Sequence, residues 1–290
     1  MTETSRAHVV VCGPASWNHL IVLDRLPEPV PHMQFALGDL ATLGGTSAGK
    51  ALHLTALGVD TTLHALIGSD DEGRRVDAAL AAAGVRVEKL ASERTERHVN
   101  LMTAAGERIS LYLATPSAPS AEQVTVVEDA IARAAVAIVD LSEIGAAIIE
   151  RRGGMQPGAP PIWTDLHDYD GSAAFHDPFV RAAEVVFMND DGTDDPWALM
   201  SGCLDRGPRL AVCTLGERGA IALDASGRRW SVDAEQVAVV DANGAGDAFF
   251  AGFLAASLRG QGVDECLAAA ARQAAVALSS EHLHPAVAAA

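Results

Sequence analysis

Basic residues are scarce in this chain: 21 Lys and Arg stand against 38 Asp and Glu, a formal charge of −17 over 290 residues. A surface of that sign repels phosphate backbones and anionic lipid, and no local basic patch offsets it, so no nucleic acid and no membrane surface is expected as a partner. Aromatic residues are also few, at 4%; Trp17 is the one well placed to stack on a flat ligand. The four cysteines, Cys12, Cys203, Cys213 and Cys266, are scattered, form no C-x-x-C and have no histidine at metal-ligand spacing beside them. They read as reduced packing thiols rather than a disulfide framework or a zinc site. No apolar run approaches the roughly 18 residues of a membrane span, and the N-terminal stretch passes from polar to apolar without a cleavage pattern. A soluble, cytoplasmic protein with a small-molecule partner is therefore expected.

What is present is an alternation. His8 to Cys12, Thr61 to Ile67, Val136 to Leu141, Pro161 to Asp165, Glu184 to Met188 and Leu210 to Thr214 read as short apolar strands. Between them, Ser47 to Leu57, Glu72 to Ala83, Ala121 to Ala135, Phe175 to Ala183 and Asp195 to Leu204 read as helices, with Asp247 to Leu258 and Val263 to Ser280 closing the chain. Continuous apolar strands alternating with helices predict a mostly parallel, buried sheet. Length alone suggests about two units of roughly 150 residues, or one large α/β domain with a small accessory piece. Two regions break the rhythm and could build that piece: Leu20 to Leu43, with three prolines between Leu26 and Pro31, and His98 to Leu113, a hairpin pattern turning at Ala104 to Glu107. The same pattern also fits surface excursions of the main domain.

Two glycine-rich stretches could carry chemistry. Gly44 to Ala51 (GGTSAGKA) satisfies G-x-x-x-x-G-K but has Ala51 where a phosphate-binding loop needs a Ser or Thr for Mg²⁺, and no buried strand precedes it. Adjacent glycines opening a helix still let a ligand approach the backbone closely. The second stretch, Asp241 to Asp247 (DANGAGD), places Gly244, Ala245 and Gly246 at a helix start, where free amides and the helix dipole form an anion hole. Asp247 in the first turn could accept a proton from a hydroxyl attacking an anion held there. On spacing alone it is equally an ordinary N-terminal helix charge.

These stretches resemble the ribokinase-like (PfkB) carbohydrate kinases, and the resemblance covers nearly the whole chain in order. Asp241 to Asp247 is similar to the family's Asp-Thr-x-Gly-Ala-Gly-Asp signature, Gly44 to Gly58 to its N-terminal signature, Gly68 to Gly73 to its Gly-x-Asp-x-x-Gly pattern, and Thr214 to Gly219 to its Thr-x-Gly-x-x-Gly nucleotide element. The resemblance implies a three-layer α/β/α fold with a mostly parallel central sheet, written as a single kinase domain over 1–290 with a β-rich lid inserted from about 20–43 and 95–115. It implies transfer of the γ-phosphoryl group of ATP to a hydroxymethyl group of a sugar or sugar-like molecule, with Asp247 as base and the Gly244 to Asp247 amides stabilising developing charge. Asn189, Thr214, Gly216, Gly219 and Gln273 would then contact ATP, and Asn18, Gly44, Gly45 and Gly49, with Asp247, the acceptor. A homodimer formed through the lid is a further implication.

The departures from the family fall mainly on the acceptor side. Asn18 stands where an Asp often binds sugar hydroxyls, Thr46 and Gly49 replace the Lys and Asn of the ribokinase form, and His167 replaces an Asn after a strand. In the Asn-x-x-Glu element the chain has Asn189-Asp190-Asp191-Gly192, leaving Asp190 or Asp191 to assist Mg²⁺ through water. Asp241 is a candidate for monovalent cation, such as K⁺, with Asn243 beside it in place of Thr. The alternatives are a nucleoside kinase, which would use Trp17 for stacking, and a ligand-binding homologue without turnover.

Overall fold

The computed structural model describes residues 7–103 and 107–289; most of the turn expected at Ala104 to Glu107 lies outside them. In chain order the main elements are β1 (His8–Cys12), β2 (Ser16–Leu23), β3 (Gly38–Gly44), α1 (Thr46–Ala56), β4 (Asp60–Gly68), α2 (Asp71–Ala82), β5 (Arg86–Ser92), β6 (Glu96–Thr103) and β7 (Arg108–Ala114). They continue with α3 (Ala121–Ile131), β8 (Val136–Val139), α4 (Glu143–Arg152), β9 (Ile162–Asp165), α5 (Asp177–Ala182), β10 (Val185–Asn189), α6 (Pro196–Leu204) and β11 (Leu210–Thr214). The chain closes with β12 (Ala220–Asp224), β13 (Arg229–Val232), α7 (Ala245–Leu258) and α8 (Val263–Leu278).

Among the described residues, nine strands form the central sheet in the order β13-β12-β11-β10-β9-β8-β1-β4-β5. It is parallel from β11 to β5 and antiparallel at the β11-β12-β13 edge. Alternation along β1 shows why the strands are apolar throughout. Val9 and Val11 pack into a core that includes Leu52, Leu80 and Phe250 on one face, while Val10 and Cys12 pack with Ile131, Ile148 and Phe179 on the other. With helices on both faces, both faces of such a strand favour apolar residues, although β4 buries Thr61, Thr62 and His64 and β9 buries Thr164.

A second sheet, β3-β2-β6-β7, lies apart from the first. Its β2–β3 and β6–β7 pairs are antiparallel and β2–β6 is parallel. The strand pair expected at His98 to Leu113 is present, but β2 starts at Ser16, four residues before the expected segment. Asn18 therefore sits on this lid-like sheet.

The Gly68 to Gly73 motif joins the two sheets. Asp70 caps α2 by accepting the Gly73 amide at 2.9 Å and also accepts the Thr95 amide at 2.9 Å, at the entry to β6. A side chain at Gly73 would strike the Gly68 carbonyl. These residues fix the corner between β4, α2 and β6.

Candidate active site

The carboxyl ends of the parallel strands, where the chain changes direction between β1 and β8, are the usual ligand position in an open α/β sheet. Here Asp140 follows β8, Asp165 ends β9, and α1 and α7 point their N-termini at the same spot. Gly45 (φ 95°) opens α1 and Gly244 (φ 80°) opens α7, and among the described residues neither terminus has a side-chain cap. An uncapped helix start leaves its first amides available to an anion. At α7 these are chiefly those of Gly246 and Asp247, since the Ala245 amide has a long contact, 3.4 Å, to the Ala242 carbonyl. Leu283, from the C-terminal segment, packs under the turn, 2.8 Å from where a Cβ at Gly244 would lie.

Asp247 is 12% exposed and held through one oxygen. Its Oδ1 accepts from the Thr46 hydroxyl and lies 3.1 Å from Lys50 Nζ. Among the described residues, Oδ2 has no hydrogen bond. Gly49 makes this approach feasible, because a Cβ there would lie 2.8 Å from Oδ2 and 3.0 Å from the Asp247 Cβ. Burial raises the affinity of Asp247 for a proton; Lys50 and the Thr46 hydroxyl pull it down and Asp165 pushes it up, and the net direction is up. A carboxylate raised in this way is a stronger base when ionised.

Lys50 was a near-match to a phosphate-loop lysine in the sequence. It is instead fully buried, 3.1 Å from Asp140, 3.3 Å from Asp165 and 3.1 Å from Asp247. Burial works against its charge, but the three carboxylates outweigh it and hold the ammonium protonated. Burial likewise opposes ionisation of Asp165, yet His167, Lys50 and the His167 amide bring its pKa down to about 2. His167 has φ 54°, a strained conformation for a bulky residue, and its ring lies 3.9 Å from Asp165. It sits beside the carboxylates as an electrostatic neighbour.

A groove of about 1570 Å³ lies between the two sheets and reaches the first turn of α7 at Ala245 and Gly246. Asn189, Asp190, Asp191, Thr214, Gly216 and Gly219 line it, as do Asp241, Ala245 and Gly246. Asp190 is ion-paired with Arg218, whereas Asp191 is exposed. The Asp241 carboxylate accepts the Asn243 amide at 2.9 Å within its own turn. Gln273 does not line the groove. Its Nε2 lies 2.7 Å from His53 Nδ1 in the α1–α8 contact. The α8 residues facing the groove are Ala271, Ala274, Ala275 and Leu278, one helical face that does not include Gln273.

Leu20, Val22 and Met102 line the groove from the lid-like sheet, so strand alternation and register place Asn18, His98 and Asn100 on that face too. Asn18 accepts the Ser16 hydroxyl at 2.8 Å and packs against Gly44, where any side chain would collide with it. Asn100 Oδ1 is buried and has no hydrogen-bond partner among the described residues. Trp17 lies on the opposite face, packed on the core with Arg75 over its ring at 5.7 Å. It cannot stack a ligand in the groove, which corrects the expectation. On the face that carries His98, the Tyr112 ring is tilted against the imidazole with ring centroids 3.9 Å apart.

A three-layer α/β sheet with a second sheet over its carboxyl edge, and a carboxylate at a glycine-opened helix start, define a phosphotransferase site of the ribokinase-like class. Comparison with known proteins agrees. Residues 182–287 match the model of the pfkB family carbohydrate kinases. The chain is 30% identical over 265 residues to the acarbose 7(IV)-phosphotransferase of Actinoplanes sp., covering 89% of this chain and 88% of that one. It is 27% identical over 270 residues to a nucleoside kinase of Methanothermobacter thermautotrophicus, covering 89% and 85%. Among solved structures, a microbiome-derived acarbose kinase, Mak1, matches with a TM-score of 0.78 and 28% identity over 96% of this chain and 94% of that one. The chain belongs to the PfkB family of carbohydrate kinases, and its fold is ribokinase-like. No helix among the described residues is long and apolar enough to cross a membrane.

Proposed function

We propose that this kinase transfers the γ-phosphoryl group of ATP to a hydroxyl of an acarbose-type saccharide, with Asp247 accepting the hydroxyl proton. The observation that carries this is Asp247 itself: one oxygen is anchored and the other is free, at an uncapped helix start beneath a sheet face presenting an unpartnered Asn100. The amides of Gly246 and Asp247 would hold the transferred phosphoryl group. The nucleotide would lie along Thr214, Gly216 and Gly219 with its base against the small α8 side chains, and Asn189 beside the phosphates. Mg²⁺ keeps several waters and is bound largely by phosphate oxygens; Asp191, exposed on the groove wall, is the carboxylate suited to an outer-shell contact. Asp241 is the residue suited to a monovalent cation. Asn18, with Gly44 and Gly45 giving close backbone approach, would read the acceptor hydroxyls together with Asn100.

The relatives that act on acarbose direct the choice of saccharide. The test is ADP release with Mg-ATP against acarbose, maltose, fructose, ribose, adenosine and cytidine. Turnover fastest with acarbose is expected. Turnover confined to the nucleosides, or ATP binding with no acceptor used, would replace this reading with a nucleoside kinase or a non-catalytic binder.

We propose further that the whole chain acts as one kinase domain and pairs through its lid. The outer face of β7 exposes Ile109, Leu111 and Leu113, an apolar row of the kind that marks an interface. In sedimentation, the wild type is expected as a dimer and Leu111→Glu as a monomer; a wild-type monomer at tens of micromolar would remove the pairing.

A further inference from the structure

Lys50 is buried at the centre of the site among three carboxylates. We infer that Lys50 is a positioning residue for phosphoryl transfer, which keeps Asp247 ionised through Oδ1 and thereby presents Oδ2 to the acceptor hydroxyl. The inference rests on Asp247 being the base.

Three features carry it. The side chain is 0% exposed, so its charge is set by the groups around it. Those groups come from every element packed against it: Asp140 after β8, Asp165 and His167 at β9, Asp247 on α7, and Thr46 one turn earlier on α1. The Cys12 thiol beneath Asp140 is kept protonated by burial and by that carboxylate. Among the described residues, Lys50 is the only ion-pair partner of both Asp140 and Asp247. Asp140 is anchored in turn by the Ser47 hydroxyl at 2.6 Å, so Lys50 is tied to the main sheet and cannot follow a phosphate.

One ammonium against three carboxylates leaves the cluster net negative. That excess favours taking up a proton, and the ammonium beside Oδ1 prevents it from being taken from water before the acceptor binds. In the reaction the acceptor oxygen forms the bond to phosphorus, the bond to the ADP oxygen breaks, and the hydroxyl proton passes to Asp247. Lys50 then remains paired with Asp140 and Asp165. Without Lys50, Asp247 would bind its proton more tightly in the resting enzyme.

The test is a titration of the full chain labelled with ¹³C at aspartate carboxyls, the Asp247 signal being identified by its loss in Asp247→Asn. In Lys50→Met the Asp247 midpoint is expected to rise by about 1 to 3 pH units, the usual effect of an opposite charge at this distance. In Asp165→Asn it is expected to fall, because a like charge is removed. The acid limb of kcat should move in the same two directions, with KM for ATP little changed. Should Lys50→Met fail to fold, the fall in Asp165→Asn and a rise in Lys50→Gln decide the matter. An Asp247 midpoint that stays in place in these variants would overturn the inference and leave Lys50 a packing residue. Full turnover in Asp247→Asn would instead overturn the reading of the base, so the two failures are told apart.

Discussion

Asp247→Asn is expected to lower kcat by about 10² to 10⁴ while leaving the fold intact, the usual cost of removing a general base. The substitution is nearly isosteric. Its Oδ1 can still accept the Thr46 hydroxyl, and Lys50 keeps Asp140 and Asp165, each within 3.3 Å. What disappears is the basic Oδ2. The stability effect has a definite sign. Burial raises the pKa of Asp247 above its unfolded value, so its ionised form costs folding free energy at neutral pH, and the amide avoids that cost. The melting temperature should therefore stay level or rise as activity is lost, the pattern of a site kept for function. ADP release and a thermal melt on the same preparation check both parts. A kcat within a fewfold of wild type would exclude Asp247 as the base.

Gly49→Ala is expected to lower kcat by about 10² with little change in KM for ATP. In a helix interior Gly→Ala ordinarily stabilises by roughly 0.5 to 1 kcal/mol, and Gly49 lies within α1. Here the new methyl would sit 2.8 Å from Asp247 Oδ2 and 3.0 Å from its Cβ. The methyl cannot be accommodated without moving the carboxylate, because Oδ1 is already pinned by Thr46 and Lys50. Reactive groups displaced by about 1 Å can lose 10² in rate. Steady-state kinetics at saturating ATP will show it. Wild-type kcat in Gly49→Ala would mean that Asp247 can move without consequence.

This glycine shows how sequence and structure divided the work. Its substitution for a polar residue reads in sequence as the loss of an acceptor contact, whereas the structure gives it a packing reason. The strands buried on both faces, such as β1 and β11, are legible to the residue because nothing polar interrupts them. The edge strand β5, RVEKLAS, is not, since charges alternate along its exposed face. The antiparallel strands β12 and β13, short and late in the chain, are not legible either, nor is α4, whose mixed Glu-Ile-Gly-Ala start comes soon after a strand. The glycine-opened start of α7 was legible because its chemistry is local.

Lys50 was not legible for the opposite reason. In sequence Lys50 reads only as the lysine of an incomplete G-x-x-x-x-G-K match. Its burial depends on Asp140, Asp165 and Asp247, which lie 90 or more positions away in sequence and meet it only when the strand ends converge. Gln273 and Trp17 failed for want of a face: each is one step out of phase with the residues that line the groove. The lid face carrying Asn100, His98 and Tyr112 has a visible signal, the polar residues alternating along the hairpin, but the sequence does not say which side of the lid they face.

The central claim is that the α7 start holds the transferred phosphoryl group beside Asp247, beneath the lid. A crystal structure with a non-hydrolysable ATP analogue, Mg²⁺ and acarbose tests it most directly. The γ-phosphate should lie on the Gly246 and Asp247 amides, with an acarbose hydroxyl within hydrogen-bonding distance of Asp247 Oδ2. A nucleotide bound away from these amides, or a saccharide whose nearest hydroxyl is out of reach of Asp247, would contradict the account.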